Sequence, residues 1–354
     1  MTRSNHSYLS AQAPFVPFRV DYLPLIARLR LIGFHKYKNR WAKRFGKKLG
    51  RLLFDFAYDV LRFSGQGMVE VTFGTDKKMF QFDARNLHYL RIYDHQMDTL
   101  CEPELAAVLN AFLTGDRVFY DIGSNWGYFA LYAATLPGYE GEIHAFEPIR
   151  ETFDELQDWV AQLGQERRVH CHNLAISDAD GPVQMGIVSG DSGLASILRT
   201  DGPSSRHQIA EARRLDTLDL PAPDFIKLDV EGFEHEAICG ALKTLASHQP
   251  MIMFENWISR DKPEQTLSPI EVLEKLGYQL FVPMWWIGEP SNQMYWPISH
   301  HLFPKGVRTM AFVPFNIEFR FSMRDQINFF CCHNDRMEEF EQLFTRREGP
   351  VEQV

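Results

Sequence analysis

The sequence of 354 residues predicts an α/β fold in which a mostly parallel sheet carries helices on both faces. Two observations predict it. From Arg117 onward, apolar strand-like runs alternate with segments of helical periodicity. In the first such unit, residues 118–122 lead through a turn from Gly123 to Gly127 into a helix. Nucleotide-like cofactors bind at such turns, outside the carboxyl ends of the strands of open α/β sheets.

Two predicted features precede this unit, a basic helix and a β-hairpin. Residues 1–20 are polar and contain two prolines, so we expect them to be loosely ordered. Residues 28–51 carry ten basic and no acidic residues, interleaved with apolar residues at helical spacing. This pattern favours a helix packed on the domain with a solvated basic face. Contact with an anionic membrane surface or with RNA is the alternative. Residues 69–73 and 79–82 alternate apolar and polar residues across a turn, which predicts the hairpin.

The remaining elements follow in order along the chain. The predicted strands cover residues 118–122, 143–146, 169–172, 182–188, 224–228, 251–254, 278–282 and 327–332. The predicted helices cover residues 97–112, 149–163, 233–245 and 267–276. Pro148 precedes the second of these helices and Gly164 follows it, as is usual at helix ends. Residues 337–354 are expected to be a charged tail.

Composition and charge exclude several classes of protein. A net charge of −9 argues against a general nucleic-acid partner. The five cysteines are odd in number and unpatterned, which predicts reduced thiols and no metal site. No apolar run approaches the roughly 20 residues that span a bilayer, and residues 1–20 lack the features of a signal peptide. We therefore expect a cytoplasmic protein.

Acidic residues end four of the predicted strands, namely Asp121, Glu147, Asp229 and Glu255. In a parallel sheet all four lie at the same edge, which predicts a shared pocket. Glu147 lies 20 residues after Gly127, the spacing of an acid that binds ribose hydroxyls. A carboxylate at Asp121 suits a cationic ligand. Together these features fit S-adenosylmethionine better than NAD.

Methyl transfer from a sulfonium needs a group that takes the proton of the acceptor. The candidates by position are Asp229, Glu231, His235 and Glu255. His235 lies four residues after Glu231, a spacing that would allow the two to pair on one helix face, although a solvated helical histidine is the favoured interpretation. A divalent cation held by Asp229, Glu255 and Asn256 is a less favoured alternative.

Six short motifs occur in the order and spacing of the FkbM family. They are Asp121-Ile-Gly-Ser-Asn-Trp-Gly, Ala145-Phe-Glu-Pro148, Ala175-Ile-Ser-Asp-Ala-Asp-Gly181, Asp191-Ser-Gly-Leu-Ala-Ser196, Ile226-Lys-Leu-Asp-Val-Glu-Gly232 and Phe254-Glu255. Over residues 95–282 the chain therefore resembles an FkbM-type S-adenosylmethionine-dependent methyltransferase. The resemblance implies the Rossmann-like class I methyltransferase fold and O-methylation of sugar or natural-product hydroxyls.

The resemblance also implies roles for individual residues. Those expected to line the methionine part of S-adenosylmethionine are Asp121, Gly123, Ser124, Asn125 and Gly127, with Ser124 standing where Ala is more usual. Glu147 is expected to bind the ribose, and Asn173 with Ala175 the adenine edge. Asp229 is expected beside both cofactor and acceptor, and Glu231 faces the acceptor.

The expected organisation is a basic helical extension over residues 1–64, a methyltransferase domain over 65–336 and the tail. Within the domain, 95–282 is the cofactor-binding core and the aromatic-rich 284–310 is a substrate wall, or else a loop that caps the core. The predicted function is O-methylation of a hydroxyl of a glycan or specialised metabolite. The alternatives are an RNA-directed methyltransferase that uses the basic segment and a catalytically silent scaffold.

Overall fold

The computed structural model describes residues 7–11, 18–22, 40–73, 76–83, 102–188, 205–287, 294–297 and 308–345. These residues fall into two compact units. The larger contains residues 7–11 and the described residues from 102 onward, and the smaller contains those between 18 and 83. The domain boundaries expected from the sequence stay a prediction.

Strands make up most of the large unit. They are β1 (Ser7–Ala11), β5 (Phe119–Ile122), β6 (Ile143–Phe146), β7 (Val169–His172), β8 (Ala175–Ile176), β9 (Gly181–Val188), β10 (Ser205–Arg213), β11 (Phe225–Leu228), β12 (Met251–Trp257), β13 (Tyr278–Ile287), β14 (Met294–Pro297), β15 (Arg308–Pro314) and β16 (Gln326–His333). Its helices are α2 (Pro103–Phe112), α3 (Tyr128–Ala134), α4 (Arg150–Leu163), α5 (Glu234–Cys239), α6 (Leu242–His248), α7 (Pro263–Lys275) and α8 (Met337–Thr345). The small unit holds β2 (Phe18–Tyr22), α1 (Arg40–Asp55), β3 (Gln66–Phe73) and β4 (Asp76–Asp83).

One large sheet organises the large unit. Among the described residues its strand order is β1-β15-β13-β16-β12-β11-β5-β6-β7, with β14 paired to β13. The five adjacent strands β12, β11, β5, β6 and β7 are parallel to one another, whereas β16, β13, β15 and β1 pair antiparallel. The strand order reverses between β5 and β11, and the crevice at such a reversal is where α/β sheets bind ligands.

Helices cover both faces of the sheet, as the sequence predicts. On one face Tyr120 and Ile226 belong to a buried cluster that includes residues of α5, α6 and α7. The alternate residues Phe119 and Phe225 lie on the other face, where Phe225 packs against Phe112 of α2. The α/β fold expected from the sequence is therefore confirmed.

Both chain ends depart from the sequence-based expectation. Instead of being loosely ordered, residues 7–11 pair with β15 and residues 18–22 pair with β3. Part of the predicted charged tail is α8, because Phe340 is fully buried and stacks against Phe330. Single apolar residues among charged ones gave no periodic signal strong enough to reveal this.

Element bounds differ by a few residues elsewhere. Helix α2 begins at Pro103, and residues 97–101 of the predicted helix lie outside the described residues. Strand β12 continues beyond residue 254 to Trp257, and α7 begins at Pro263, earlier than expected. These shifts leave the order of elements unchanged.

The small unit confirms the predicted hairpin, since β3 and β4 pair antiparallel. Its turn at residues 74–75 lies outside the described residues. Of the predicted basic helix 28–51, residues 40–51 lie in α1 and residues 28–39 lie outside the described part. Among the described helices, none combines the length and apolar character needed to cross a bilayer.

Candidate functional site

The carboxyl ends of β5, β6, β11 and β12 form one edge of the sheet and carry the four acids identified in the sequence. Asp121 lies within β5 and Glu255 within β12, while Glu147 and Asp229 directly follow β6 and β11. Because these four strands are parallel, the acids converge at the edge where the strand order reverses.

Lys227 links two of these acids and was missed by the sequence analysis. Its Nζ lies 3.3 Å from Asp121 Oδ1 and 3.5 Å from Asp229 Oδ2, and it donates a hydrogen bond to the Gly123 carbonyl oxygen at 2.8 Å. Burial works to lower the pKa of Lys227, but the charges of Asp121 and Asp229 outweigh it and raise the pKa. Lys227 therefore stays charged. A lysine inside an apolar strand was the available signal.

Asp121 is wholly buried behind this lysine. Its Oδ2 accepts a hydrogen bond from the Ala130 amide at 3.0 Å, and burial raises its pKa despite the nearby charge of Lys227. The carboxylate therefore holds the first turn of α3 and the lysine. The sequence analysis expected Asp121 to contact a cationic ligand, and this contact stays a prediction.

The turn between β5 and α3 needs glycine because of its close packing. Gly123 has φ +76°, and a Cβ there would collide with the backbone carbonyl of Asp229. Gly127 has φ +92°, and a Cβ there would collide with the side chain of Leu156. Asn125 is also left-handed, with φ 54°. The turn is thus fixed against β11 on one side and α4 on the other.

Ser124 offers an unsatisfied polar atom in this turn. Its Oγ is buried and has no hydrogen-bond partner among the described residues, although its amide donates to the Phe146 carbonyl at 2.9 Å. A buried hydroxyl of this kind calls for an explanation. A bound polar ligand at the turn would supply the partner.

Glu147 lies beside the same turn and is mostly buried. Its Oε1 accepts a hydrogen bond from the Ile149 amide at 2.8 Å. Burial raises its pKa to about 7, against the opposing effect of hydrogen bonds from the Ile149 and Asn125 amides. A ligand that donates hydrogen bonds to this carboxylate would favour its ionised form.

Asn173 and Ala175, expected at the adenine edge, follow β7. The Asn173 Nδ2 donates to the carbonyl oxygens of Glu147 (2.9 Å) and Pro148 (3.1 Å), so its amide group positions the segment after β6. Ala175 is buried in β8 beside Ala212 of β10. Their contact with adenine stays a prediction.

Two further acids, Glu102 and Glu104, also border the edge, and the sequence analysis did not place them there. Asn328 Nδ2 lies 3.4 Å from Glu102 Oε2 and 3.0 Å from Glu104 Oε1. Burial, and then the charge of Asp229, raises the pKa of Glu102 to about 8. Only the fold reveals this cluster, because more than 100 residues separate Glu102 from Asp229 in the sequence.

Glu255 is held at the edge by two donors. Trp257 Nε1 donates to its Oε2 at 2.6 Å and Gln326 Nε2 donates to its Oε1. Burial and the charge of Asp229 raise its pKa well above the usual value. One oxygen each of Asp229, Glu231 and Glu255 lie within 4.8 Å of one another. Such a group of acids is suited to bind a positively charged group.

Asn256 does not join these acids, contrary to the cation alternative raised from the sequence. Its Oδ1 accepts from Arg320 Nε at 2.5 Å and its Nδ2 donates to the Thr266 carbonyl at 3.0 Å. Neighbouring residues on a strand point to opposite faces, so Asn256 faces away from Glu255. Glu231 takes its place in the cluster.

Glu231 and His235 are not arranged as one helix face. Glu231 has φ 53° and Gly232 has φ 98°, so both lie in a tight turn before α5. Glu234 Oε1 accepts from the Gly232 amide at 3.1 Å and stabilises this turn. His235 lies on α5, with Nε2 3.6 Å from Cys239 Sγ. Glu231 therefore precedes the helix and does not share a helix face with His235 as expected, and the catalytic roles of both residues stay predictions.

The aromatic-rich segment 284–310 is only partly described. Residues 294–297 pair with the end of β13, placing Trp296 opposite Trp285 and Tyr295 opposite Trp286. His300 and His301 lie outside the described residues. The role of this segment as a substrate wall stays a prediction.

Comparison with known proteins adds to this geometry. Residues 118–280 match the family described as the methyltransferase FkbM domain. A hexuronic acid methyltransferase, AglP of Haloferax volcanii, is 26% identical over 132 residues. This match covers 37% of the chain and 53% of the relative, so it spans about half of the relative's length.

Two solved structures are similar at low identity. A methyltransferase FkbM from Methylobacillus flagellatus is 15% identical with a TM-score of 0.38, over 80% of this chain and 76% of that one. An S-adenosylmethionine-dependent O-methyltransferase from Thermotoga maritima is 12% identical with a TM-score of 0.35, over 69% of this chain and 76% of that one.

Proposed function

We propose that the chain, whose residues 118–280 match the methyltransferase FkbM domain, is an S-adenosylmethionine-dependent O-methyltransferase. Its proposed acceptor is a hydroxyl of a glycan or specialised metabolite. The observation that carries the proposal is the group of buried and partly buried carboxylates at the carboxyl edge of the sheet, two of which contact Lys227.

This edge fits the charge of S-adenosylmethionine, which carries a sulfonium and an ammonium group. Burial and the charge of Asp229 raise the pKa of both Glu102 and Glu255. A cation placed among these carboxylates relieves their repulsion and favours their ionised forms. The Ser124 hydroxyl, which has no partner in the part of the chain that the structure describes, and the Glu147 carboxylate then offer hydrogen-bonding groups for the polar parts of the cofactor.

The cofactor supplies an electrophilic methyl group when it is bound. The protein has to align the acceptor hydroxyl with that methyl and remove the hydroxyl proton. We assign proton acceptance to Asp229, whose side chain keeps 26% of its surface exposed and so reaches the crevice. Lys227 fixes the orientation of Asp229, and Glu255 with its raised pKa lies close enough to hold the proton afterwards.

A sugar acceptor is supported by the relative described as a hexuronic acid methyltransferase. The proposal for this chain rests on that partial match together with the family. An RNA acceptor and a silent scaffold remain the competing functions, and one experiment separates them.

The experiment measures transfer of a labelled methyl group from S-adenosylmethionine to a panel of glycans and RNAs. We expect label in a glycan as an alkali-stable ether. The Asp229→Asn variant should bind S-adenosylhomocysteine as the wild type does and lose about a hundredfold in turnover. Label in RNA alone would contradict the glycan proposal. Cofactor binding without transfer to any acceptor would favour the scaffold.

A further inference from the structure

A second cluster of ionisable side chains lies at the opposite edge of the sheet, outside the methyltransferase site. Glu142 and His144 are at the amino end of β6, and His170 is the register partner of His144 on β7. Glu142 Oε2 lies 3.4 Å from His144 Nε2 and 3.7 Å from His170 Nε2. The two imidazole rings stack with centroids 5.0 Å apart. Three ligand atoms of kinds that bind metals therefore converge on one point.

The two nitrogens that face Glu142 lack hydrogen bonds. Both Nε2 atoms are buried, and neither has a hydrogen-bond partner among the described residues. The His144 side chain is only 4% exposed. Buried polar atoms are nearly always satisfied, and a ligand bound where the two nitrogens and Glu142 meet would satisfy both of them.

From this geometry we propose that Glu142, His144 and His170 bind a divalent zinc ion. Two histidines and one carboxylate with an open fourth position are a recurrent zinc ligand set. Tetrahedral ligands at about 2.1 Å from Zn²⁺ lie roughly 3.4 Å from one another. The two Glu142–histidine distances, 3.4 and 3.7 Å, are close to that spacing, and all three ligand atoms lie within 4.8 Å of one another.

His172 supports the same assignment from outside the ligand set. Its Nε2 lies 3.0 Å from His144 Nδ1. When His144 carries its proton on Nδ1, this N–H donates a hydrogen bond to His172 Nε2. The lone pair on His144 Nε2 is then free to bind the metal. Zinc-bound histidines are commonly held by such an acceptor, which fixes both the tautomer and the ring orientation.

The position of the site indicates its role. Its ligands come from two adjacent strands, and Glu142 lies five residues before Glu147, roughly 16 Å along an extended chain. The zinc ion therefore joins the starts of β6 and β7 and stabilises the sheet, away from the acids at the carboxyl edge. The proposal is independent of the methyltransferase reaction.

The test uses the full chain without a histidine tag, freed of metal with a chelator. Zn²⁺ is titrated in competition with a chromophoric chelator, and thermal unfolding is followed with and without Zn²⁺. We expect one Zn²⁺ per chain with micromolar or tighter affinity and a rise in the unfolding temperature. Co²⁺ in place of Zn²⁺ should give the visible absorption of a tetrahedral site.

Two ligand variants and one control make the test specific. Glu142→Gln and His170→Asn change partly exposed side chains, so both should fold, and each should weaken Zn²⁺ binding about tenfold or more. His248→Asn changes an exposed histidine on α6 and should bind as the wild type does. Equal affinity in all four proteins, or no saturable binding in the wild type, would overturn the proposal and leave an ordinary histidine–glutamate contact.

Discussion

The two ends of strand β6 carry opposite chemistry. At its carboxyl end, Glu147 belongs to an edge where burial raises the pKa of carboxyl groups. At its amino end, His144 lies among histidines, and burial lowers its pKa. The first edge is assembled from four strands and α2, while the second comes from two adjacent strands. The comparison teaches that one parallel sheet can present two chemically distinct edges, for which we propose an organic cation at the first and a metal ion at the second.

The largest expected effect follows from removing the lysine of the carboxyl edge. Lys227→Met leaves Asp121 buried without its ion pair and should cost about 3 kcal/mol in the free energy of unfolding. It should also abolish methyl transfer, because Asp229 loses its orientation. Denaturant unfolding and a turnover assay measure the two effects.

The control is Lys243→Met, which alters an exposed lysine on α6. This control should match the wild type in both assays. The zinc affinity of Lys227→Met and of Lys243→Met should equal that of the wild type, provided that the variant folds. If Lys227→Met kept wild-type turnover, the assignment of the carboxyl edge as the reaction site would be wrong.

A glycine pair separates close packing from backbone strain. Gly123→Ala and Gly138→Ala both place a side chain at positive φ, +76° and +75°, but only the Cβ at 123 meets another atom. Both variants should lose about 1 kcal/mol of stability from the strained backbone. Gly123→Ala should lose about 2 kcal/mol more and, in calorimetry, most of its affinity for S-adenosylhomocysteine. Equal affinity in the two variants would show that the Gly123 turn does not contact the cofactor.

Two conservative changes, one on either side of β6, test whether the two ends of this strand act separately. Glu147→Gln should weaken S-adenosylhomocysteine binding about tenfold and leave zinc binding unchanged. Glu142→Gln should do the reverse. Calorimetry with each ligand on each variant gives the four affinities. Loss of both ligands in both variants would mean that the two ends of the strand are coupled.

The fold could be predicted from the sequence because its signals are local. The alternation of strands and helices, the Gly123–Gly127 turn and the acids ending the strands are each readable within a few residues. Glu102 and Asn328 could not be placed at the site in this way, because their contact joins residues distant in the chain. Lys227 had a local signal as a lysine inside an apolar strand, but its contact with Asp121 joins distant residues. Asn256 was misplaced since strand alternation turns it to the opposite face from Glu255. The histidine cluster was missed for a similar reason, as only the β6–β7 register brings His144 beside His170.

The smallest expected effect is a pH dependence at the carboxyl edge. The pKa of Glu147 is raised from 4.5 to about 7. In our proposal its ionised form accepts hydrogen bonds from the ribose of the cofactor. Affinity for S-adenosylhomocysteine should therefore rise severalfold as the pH increases through about 7, by at most about tenfold per pH unit, and then level off. In the absence of ligand, the free energy of unfolding has the opposite pH dependence. The folded chain holds this proton more tightly than the unfolded chain, so the free energy of unfolding falls as the pH rises from about 4.5 to about 7.

Calorimetry in a series of buffers measures this dependence, with Glu147→Gln as the control that should lose it. A flat profile in the wild type would indicate that Glu147 is already ionised without ligand.

The most direct test of the central claim is calorimetric titration of the purified chain with S-adenosylhomocysteine, with NAD titrated in parallel. Our account predicts micromolar binding of one S-adenosylhomocysteine per chain and no heat from NAD. No detectable binding of S-adenosylhomocysteine, or binding of NAD instead, would contradict the claim that the acid-lined carboxyl edge is a methyl-donor site.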